Sequence, residues 1–480
     1  MTGGISRRLL LAGLAASGAT AAMANAPTVS LRPMPRGAGS APASARELIA
    51  AARLSGSVTY SVADAETGQV IDALGPVRNV TPASVAKVPT ALYALDTLGA
   101  NFRFATRVLA TGPVSNGRLE GDLILAGSGD PTLDTDTLGR LAAEVKAAGV
   151  TEVAGEFRID DSGLPTLPWI DPDQPDHVGY NPTIGALNLN YNRVHFEWKR
   201  GSGGYDVSME ARAARFSPPV QAARVAIADR SLPVFTYEDR DGVERWTVAR
   251  AALGEGGARW LPVRRPADYA AEVFRTLARE HGLVLRPGAR TRAAEGSVIA
   301  ETTSGPLVTV LRDMLDYSTN LTAEVCGLTA SGTLGPMPDS LGASADRMNG
   351  WLADRYGLFA PDFADHSGLG YGNAVSASDM VRILCGTDRL VPLLETWRVT
   401  DSGLGALAKT GTLNFTAALA GYLPAGNRTL AFAIFAADTA RRDAIPPAQR
   451  ERPDGARAWS ARARQLQRDI LTSWAVSLAA

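Results

Sequence analysis

The spacing of hydrophobic residues divides the chain into two helix-rich ends and a long middle of short strands. Helical spacing predicts a helix that begins at Ser84 and ends at Gly99, and alternation predicts a strand at 58–62. The other predicted helices are 45–54, 137–148, 267–280, 307–328, 343–356, 377–385 and 456–478. The other predicted strands are 104–109, 119–125, 405–409, 417–423 and 430–435.

This order of elements predicts the domain organisation. A chain of 480 residues is too long for one ordinary core, so we expect about three units, or one unit with a large insertion. Because helices and strands recur on both sides of the strand-rich middle, residues 45–102 and 298–480 are expected to form one α/β (α+β) unit. Residues 103–297 are expected to be a mainly β insertion of one or two subdomains.

The N-terminus has the pattern of an export signal. Arg7 and Arg8 precede an apolar, alanine-rich run and small residues suited to cleavage, so we expect residues 1–26 to be a signal peptide. The paired arginines fit a twin-arginine signal and a Sec signal, and an uncleaved membrane anchor stays an alternative. Residues 27–44 are expected to be a flexible linker. Either export route predicts a periplasmic protein. Peripheral contact with the membrane or with the cell wall stays possible in this prediction.

Charge excludes one class of partner and isolates a few side chains. With 48 basic and 49 acidic residues, the formal net charge is -1, so no overall field attracts phosphates and we expect no nucleic acid partner. The basic residues include only four lysines, which are Lys87, Lys146, Lys199 and Lys409.

Cysteines and histidines are too few and too scattered to suggest a cofactor. Cys326 and Cys385 are the only cysteines, and we expect buried free thiols, with a single disulfide as the alternative. The four histidines show no metal-ligand spacing, and no dinucleotide or complete P-loop motif occurs, so neither a metal nor a cofactor is expected.

Two lysines lie in motifs that carry chemistry. Ser84 and Lys87 are three residues apart at a predicted helix start, which places a hydroxyl within reach of an amine, the geometry of a nucleophile and its base. Lys409-Thr410-Gly411 ends a predicted strand, where glycine lets a substrate backbone lie close to the strand edge. Between these motifs, Ser318-Thr319-Asn320 lies where one helical stretch gives way to the next.

In this order the three motifs resemble the S-x-x-K, S-x-N and K-T-G motifs of penicillin-binding proteins and serine β-lactamases. More narrowly, the chain resembles the class C low-molecular-mass penicillin-binding proteins, the D-alanyl-D-alanine carboxypeptidase/endopeptidase (DacB-like) family. The long gap from Ser84 to Ser318 matches the insertions of that family, and a β-lactamase has a much shorter gap. Asp365-His366-Ser367-Gly368-Leu369 adds to the likeness.

The resemblance implies a role for each motif residue. Ser84 would be the acylated nucleophile, and Lys87 the amine that removes its proton. Ser318 would pass that proton to the leaving D-alanine, and Asn320 would hold the Lys87 amine and the substrate amide. In the third motif, Lys409 would supply positive potential, and Thr410, beside Gly411, would bind the terminal carboxylate of the substrate. The backbone N–H groups of Ser84 and Thr412 would form the oxyanion hole.

Four positions depart from the family pattern without touching a motif atom. Thr319 replaces a common acidic residue, and His366 and Gly370 alter the usual D-G-S-G-L-S. We expect His366 to be a structural loop residue. Pro89 removes one hydrogen bond from the helix of the nucleophile and is expected to kink it.

The predicted function is therefore a periplasmic serine DD-peptidase. Its substrates would be peptidoglycan peptides that end in D-Ala-D-Ala or carry D-Ala crosslinks, and β-lactams would be covalent inhibitors. The residue chemistry agrees, because a lysine can lose its proton near neutral pH and an arginine cannot. The alternatives are a β-lactamase-like hydrolase of another amide or ester, and a cell-wall binding or scaffold protein without turnover.

Overall fold

The computed structural model describes residues 42–292, 296–358 and 361–479. The predicted signal peptide and all but the last three residues of the predicted linker lie outside this part of the chain. The helices are α1 (Ala45–Ala52), α2 (Lys87–Leu98), α3 (Thr135–Ala147), α4 (Pro266–Glu280), α5 (Leu307–Tyr317), α6 (Asn320–Thr333), α7 (Leu341–Tyr356), α8 (Ala377–Cys385), α9 (Thr439–Asp443) and α10 (Ala456–Ser477).

The strands fall into a first series up to residue 160, a second series in the rest of the middle region, and a third near the C-terminus. They are β1 (Ser57–Asp64), β2 (Val70–Leu74), β3 (Ala105–Ala110), β4 (Val114–Ser115), β5 (Arg118–Leu119), β6 (Leu123–Gly127), β7 (Glu152–Val153), β8 (Phe157–Asp160), β9 (Arg193–Gly201), β10 (Gly204–Glu210), β11 (Ala223–Ala228), β12 (Phe235–Arg240), β13 (Val243–Ala249), β14 (Gly256–Pro262), β15 (Pro287–Arg290), β16 (Ser297–Thr303), β17 (Thr396–Arg398), β18 (Gly405–Leu413), β19 (Thr416–Ala425) and β20 (Arg428–Ala437).

A six-stranded antiparallel sheet joins the two ends of the chain. Its strand order is β17-β18-β19-β20-β1-β2, and N-terminal β1 pairs with C-terminal β20 in the register Tyr60 to Ile434. Strands from both ends of the sequence therefore lie in one sheet, in agreement with the predicted α/β fold class.

Helices cover both faces of this sheet, which explains why β19 and β20 are apolar along almost their whole length. On one face, Leu419 and Ile434 pack against Trp474 of α10. On the other face, Ala420 and Ala433 pack into a larger cluster that contains residues of α2 and of α5 to α8. The nucleophile motif lies at the edge of this second, helical layer.

The middle region has a five-stranded sheet of its own in the order β15-β8-β6-β3-β16, together with three small three-stranded sheets. Its buried hydrophobic residues form one cluster, in which Phe157 packs in a stack against Phe274 of α4. A loop of the same region, which includes Ile170 and Ile184, packs instead into the cluster formed by α2 and α5 to α8 beside the six-stranded sheet.

Strand β16 belongs to the sheet of the middle region. It pairs with β3, from Ala110 opposite Ser297 to Ala105 opposite Thr303. Sequence reasoning did not predict this pairing, because its two strands lie far apart along the chain. Cys326 and Cys385 are both free thiols. Among the residues that the structure describes, no helix is both long and apolar enough to cross a membrane.

Candidate active site

Ser84 lies on a short 3-10 turn, Ala83–Ala86, directly before α2. The sequence predicted a regular helix from Ser84, and the difference is explained by Pro89, which has no N–H to donate to the carbonyl of Val85. With α2 starting at Lys87, Pro89 falls in the first turn, where backbone N–H groups have no helical partner in any case. Instead of the expected kink, the chain changes from a 3-10 turn to an α-helix at Lys87.

The Lys87 amine is enclosed by three oxygen acceptors from different parts of the chain. Its Nζ lies 2.9 Å from Ser84 Oγ, 2.7 Å from Asn320 Oδ1 and 2.7 Å from the backbone oxygen of Ser367, and the residue has no solvent exposure. The spacing of Ser84 and Lys87 thus produces the hydrogen-bond contact that it predicted, and Asn320 joins it from α6.

The surroundings favour the neutral form of the Lys87 amine. Burial lowers its pKa, and the nearby Lys409 ammonium lowers it further, to about 7, although Glu324 and Asp365 act in the opposite direction. Burial also lowers the pKa of Lys409 to about 8, with Asp316 opposing the shift. A free amine is therefore available on Lys87 near neutral pH, as a general base requires.

Ser318 and Asn320 reach the site from the joint between α5 and α6. Ser318 ends α5 in a left-handed conformation with φ 57°, and its Oγ lies 3.0 Å from Lys409 Nζ. Asn320 is the first residue of α6, and its amide nitrogen donates to the backbone oxygen of Tyr180 over 2.9 Å. Because Tyr180 belongs to the insertion, the insertion forms part of the wall of the site.

Strand β18, which carries Lys409-Thr410-Gly411, has an unpaired edge beside Ser84 and Ser318. Among the described residues, β17 pairs only with Gly405–Leu407 of β18, so the edge from Lys409 to Leu413 has no partner strand. Gly411 lies against the nucleophile turn, because a Cβ at this position would be 2.5 Å from the backbone oxygen of Pro82 and 3.0 Å from Ser84 N. The glycine therefore allows this strand and the turn that carries Ser84 to touch, a role that sequence reasoning did not identify.

Two buried carboxyl groups lie behind Lys87. Glu324 was missed in the sequence, and Asp365 was noted only as part of a family motif. Glu324 accepts hydrogen bonds from the backbone N–H groups of His366 and Ser367, at 3.0 and 2.8 Å. Asp365 accepts from the backbone N–H groups of Ser367 and Gly368, at 3.0 and 2.6 Å. Together they fix the loop whose Ser367 carbonyl binds the Lys87 amine.

Burial raises the pKa of both acids, and the charge of Asp365 raises the pKa of Glu324 further. The one sequence signal for Glu324 is its position four residues after Asn320, on the same face of α6.

His366 points away from the cleft into the helical core. Its Nε2 lies 2.8 Å from Ser344 Oγ, its ring stacks near Tyr93, and burial lowers its pKa to about 3. The ring fits only because residue 327 of α6 is glycine, since a Cβ at Gly327 would lie 2.2 Å from the imidazole.

Replacing Gly327 by alanine is expected to destabilise the protein by about 1–3 kcal/mol, since the added methyl must displace a fully buried ring. Alanine normally stabilises a helix relative to glycine, so the sign of the effect is diagnostic. Gly350 in α7 has nothing within 4 Å of its own added Cβ and provides the matched control. Urea unfolding should show a loss for Gly327→Ala and none for Gly350→Ala; equal behaviour of the two variants would contradict the packing argument.

A cavity of about 700 Å³ opens in front of the nucleophile. Four of the predicted site residues line it, namely Ser84, Ser318, Asn320 and Thr412, whereas Lys87 and Lys409 lie behind this surface. Thr410 and Gly411 continue the strand between Lys409 and Thr412 but are not part of the lining. Sequence reasoning missed the opposite wall, which includes Gln174, Tyr180, Tyr371, Arg450, Arg457 and Arg464.

Comparison with known proteins decides the family. The profile of the D-Ala-D-Ala carboxypeptidase 3 (S13) family matches residues 43–390. The chain belongs to this family. It is a serine-type D-Ala-D-Ala carboxypeptidase that acts on peptidoglycan, as the resemblance of its motifs predicted, and the two alternative functions are not favoured. Lys409 lies beyond the matched residues, so its place in the S13 site rests on the geometry described above.

Individual relatives agree with this assignment. The chain is 27% identical to a D-alanyl-D-alanine carboxypeptidase from an Actinomadura species, over 78% of this chain and 76% of the relative. It is also 27% identical to the D-alanyl-D-alanine carboxypeptidase DacB of Haemophilus influenzae, over 71% and 77%. The crystal structure of penicillin binding protein 4 from Haemophilus influenzae has the same fold, with a TM-score of 0.69, 24% identity, and 82% of this chain and 93% of that one covered. A second crystal structure of that protein contains a β-lactam.

Proposed function

We propose that Ser84 is the nucleophile of this S13 carboxypeptidase and that Lys87 is its general base. The observation that carries the proposal is the 2.9 Å contact between Ser84 Oγ and a lysine amine with a pKa of about 7. The neutral amine takes the hydroxyl proton while Oγ forms a bond to the carbonyl carbon of the penultimate D-alanine.

The remaining groups then complete the acylation step. Ser318, whose Oγ lies 3.0 Å from Lys409 Nζ, passes the proton to the nitrogen of the terminal D-alanine, which leaves as the C–N bond breaks. The backbone N–H groups of Ser84 and Thr412 stabilise the oxyanion, and Lys409 with Thr410 attracts the terminal carboxylate. Water then cleaves the acyl ester, which restores Ser84 and releases the shortened peptide. A D-Ala crosslink contains the same bond, so we extend the proposal to DD-endopeptidase activity.

Labelled benzylpenicillin tests the proposal directly, because a β-lactam acylates the nucleophile and is hydrolysed slowly. We expect one adduct for each protein molecule, located on the peptide that contains Ser84 by mass spectrometry. Absence of an adduct, or an adduct on another serine, would reject the assignment. Parallel assays with a pentapeptide and a crosslinked muropeptide would then separate carboxypeptidase from endopeptidase activity.

The pH dependence of this acylation should be a narrow bell. Acylation needs neutral Lys87 and protonated Lys409, so its second-order rate constant should rise as pH increases through about 7 and fall above about 8. Because the Lys409 charge lowers the pKa of Lys87, Lys409→Met should move the rising limb to higher pH, whatever it does to the maximum rate. A rising limb that stays in place would show that the two amines are not coupled.

We also propose that the protein is exported and works on the periplasmic side of the membrane. Arg7, Arg8 and the apolar run that follows support export, and the peptidoglycan substrate lies outside the cytoplasmic membrane. N-terminal sequencing of the secreted protein should find a mature chain that begins near residue 25 or 27. A mature protein that retains Met1 would contradict cleavage.

A further inference from the structure

A small second pocket adjoins the active-site cleft on the side of the insertion. Its volume is about 140 Å³, enough for a single functional group of a ligand. Tyr180, Ser318 and Asn320 border both this pocket and the cleft, so the two spaces are neighbours across one wall. The pocket is also lined by Tyr191, Arg193 and Tyr317.

Arg193 at the start of β9 is the distinctive group in this pocket. Its Nε is buried without a hydrogen-bond partner, and among the described residues none of the ion pairs includes its guanidinium. The guanidinium lies instead over two aromatic rings, 5.0 Å from the centre of Tyr191 and 5.4 Å from that of Trp260. A cation held in this way keeps its charge at neutral pH but lacks a carboxylate partner.

The electrostatic surroundings agree with this description. Burial lowers the pKa of Arg193, and the group that raises it is the Tyr191 hydroxyl, not an acid. Arginines elsewhere in the insertion, such as Arg265 beside Asp268, have acidic partners within hydrogen-bond distance. Cation–π contact offsets only part of the cost of removing a guanidinium from water. An incoming carboxylate would therefore gain more from Arg193 than from an arginine that is already paired.

The backbone holds Arg193 in place before any ligand arrives. The three preceding residues, Asn190 to Asn192, are all left-handed, with φ values of 51°, 57° and 52°. Two buried amide side chains fix this turn, since Asn190 Nδ2 donates to Thr135 Oγ1 over 2.9 Å and Asn192 Nδ2 donates to the Thr183 carbonyl over 2.7 Å. A locally strained turn that is held by buried hydrogen bonds is a rigid support for a binding group.

We propose that Arg193 binds the α-carboxylate of the γ-linked D-glutamate of the stem peptide. The proposal rests on the function proposed above, in which the C-terminal carboxylate of the substrate lies at Thr410 on β18. The rest of the stem peptide then extends away from Ser84 and carries a second carboxylate, the α-carboxylate of D-glutamate. The pocket beside Asn320 contains the unpaired guanidinium of Arg193 that could bind it. D-glutamate lies two residues before the D-alanine whose carbonyl Ser84 attacks. Because an extended peptide covers about 3.3–3.6 Å per residue, D-glutamate lies beyond the immediate surroundings of Ser84.

The test compares two pentapeptides that differ at one group. These are L-Ala-γ-D-Glu-L-Lys-D-Ala-D-Ala and the same peptide with the D-glutamate α-carboxylate converted to an amide. The wild-type protein should cleave the acid form with a kcat/KM about tenfold higher, mainly through KM, as expected for one charge-assisted contact. Arg193→Met should remove this preference by lowering kcat/KM for the acid form alone, and Arg193→Lys should keep part of it.

Matched controls separate binding from folding. Arg245, an exposed arginine on β13 of the same insertion, should retain the full preference when changed to methionine. Benzylpenicillin lacks the D-glutamate carboxylate, so its rate of acylation should be unchanged in Arg193→Met. If that variant does not fold, the reduced preference of Arg193→Lys still tests the site.

Two results would overturn the proposal while the proposed function stands. One is a wild-type protein that is labelled on Ser84 yet cleaves both peptides equally. The other is an Arg193 variant that loses activity equally on both, which would make Arg193 a structural support for the wall. Failure of the proposed function would instead appear as the absence of any adduct on Ser84.

Discussion

Lys87→Arg is expected to abolish acylation of Ser84 while leaving the protein folded. General base catalysis by a positioned side chain accounts for about 10²–10⁴-fold in rate, so the second-order rate constant with benzylpenicillin should fall by at least about 10²-fold. Arginine retains the positive charge but remains protonated at every pH at which the protein is stable, so it cannot accept the hydroxyl proton. The loss should persist at high pH.

The enclosure of Lys87 makes this a strict test. Three acceptors at 2.7 to 2.9 Å surround a single nitrogen, and a planar guanidinium cannot direct its donors to all of them from the same position. Lys199→Arg, at an exposed position on β9, is the control and should acylate at the wild-type rate. Thermal unfolding of both variants would show whether they are folded. Acylation of Lys87→Arg within about tenfold of wild type would exclude Lys87 as the base.

The sequence was sufficient to predict the central chemistry because that chemistry depends on local spacing. Ser84 and Lys87 are three residues apart, so one turn of chain brings them together wherever the turn lies in the fold. The shortage of lysine in an arginine-rich chain marked Lys87 and Lys409 as places where arginine does not serve. The structure adds that both lysines are buried, which is the reason for their lowered pKa values.

The parts that the sequence did not reveal depend on contacts between distant segments. Glu324 acts on Lys87 through a loop more than 40 residues further along the chain, and no local pattern distinguishes it from other helical glutamates. The pairing of β16 with β3 likewise joins two segments that are far apart along the chain. No sequence signal distinguishes Arg193 from the other residues among the 44 arginines. Only the fold shows that it lies beside Asn320 without an acidic partner.

These long-range contacts give the insertion a direct part in the active site. The hydrogen bond from Asn320 to the Tyr180 carbonyl ties the second motif to the insertion, and Asn320 in turn binds the Lys87 amine. Arg450 bonds to Asp173 of the insertion and, through its carbonyl, to Asn414 beyond the K-T-G strand. Residues of the predicted insertion therefore line the cleft, and hydrogen bonds at Asn320 and Arg450 join them to the rest of the chain.

Gly411→Ala is expected to reduce acylation by at least about 100-fold, because misplacement of a catalytic group by about 1 Å has an effect of this size. The new Cβ would lie 2.5 Å from the Pro82 carbonyl oxygen and 3.0 Å from Ser84 N, both backbone atoms that cannot rotate away. The K-T-G strand and the nucleophile turn must therefore separate, which moves Ser84 relative to Lys409 and to the Thr412 N–H.

The control for this variant is Gly203→Ala, since a Cβ there meets nothing within 4 Å. Its rate of benzylpenicillin acylation should match that of wild type. Gly411→Ala should remain folded at the assay temperature, because overpacking of this kind costs about 1–3 kcal/mol, less than the stability of an ordinary domain. A folded Gly411→Ala protein that acylates within about tenfold of wild type would mean that the turn can yield without loss of geometry. A large loss in a folded protein would instead show that acylation depends on close contact between the strand and the turn, beyond the presence of the motif side chains.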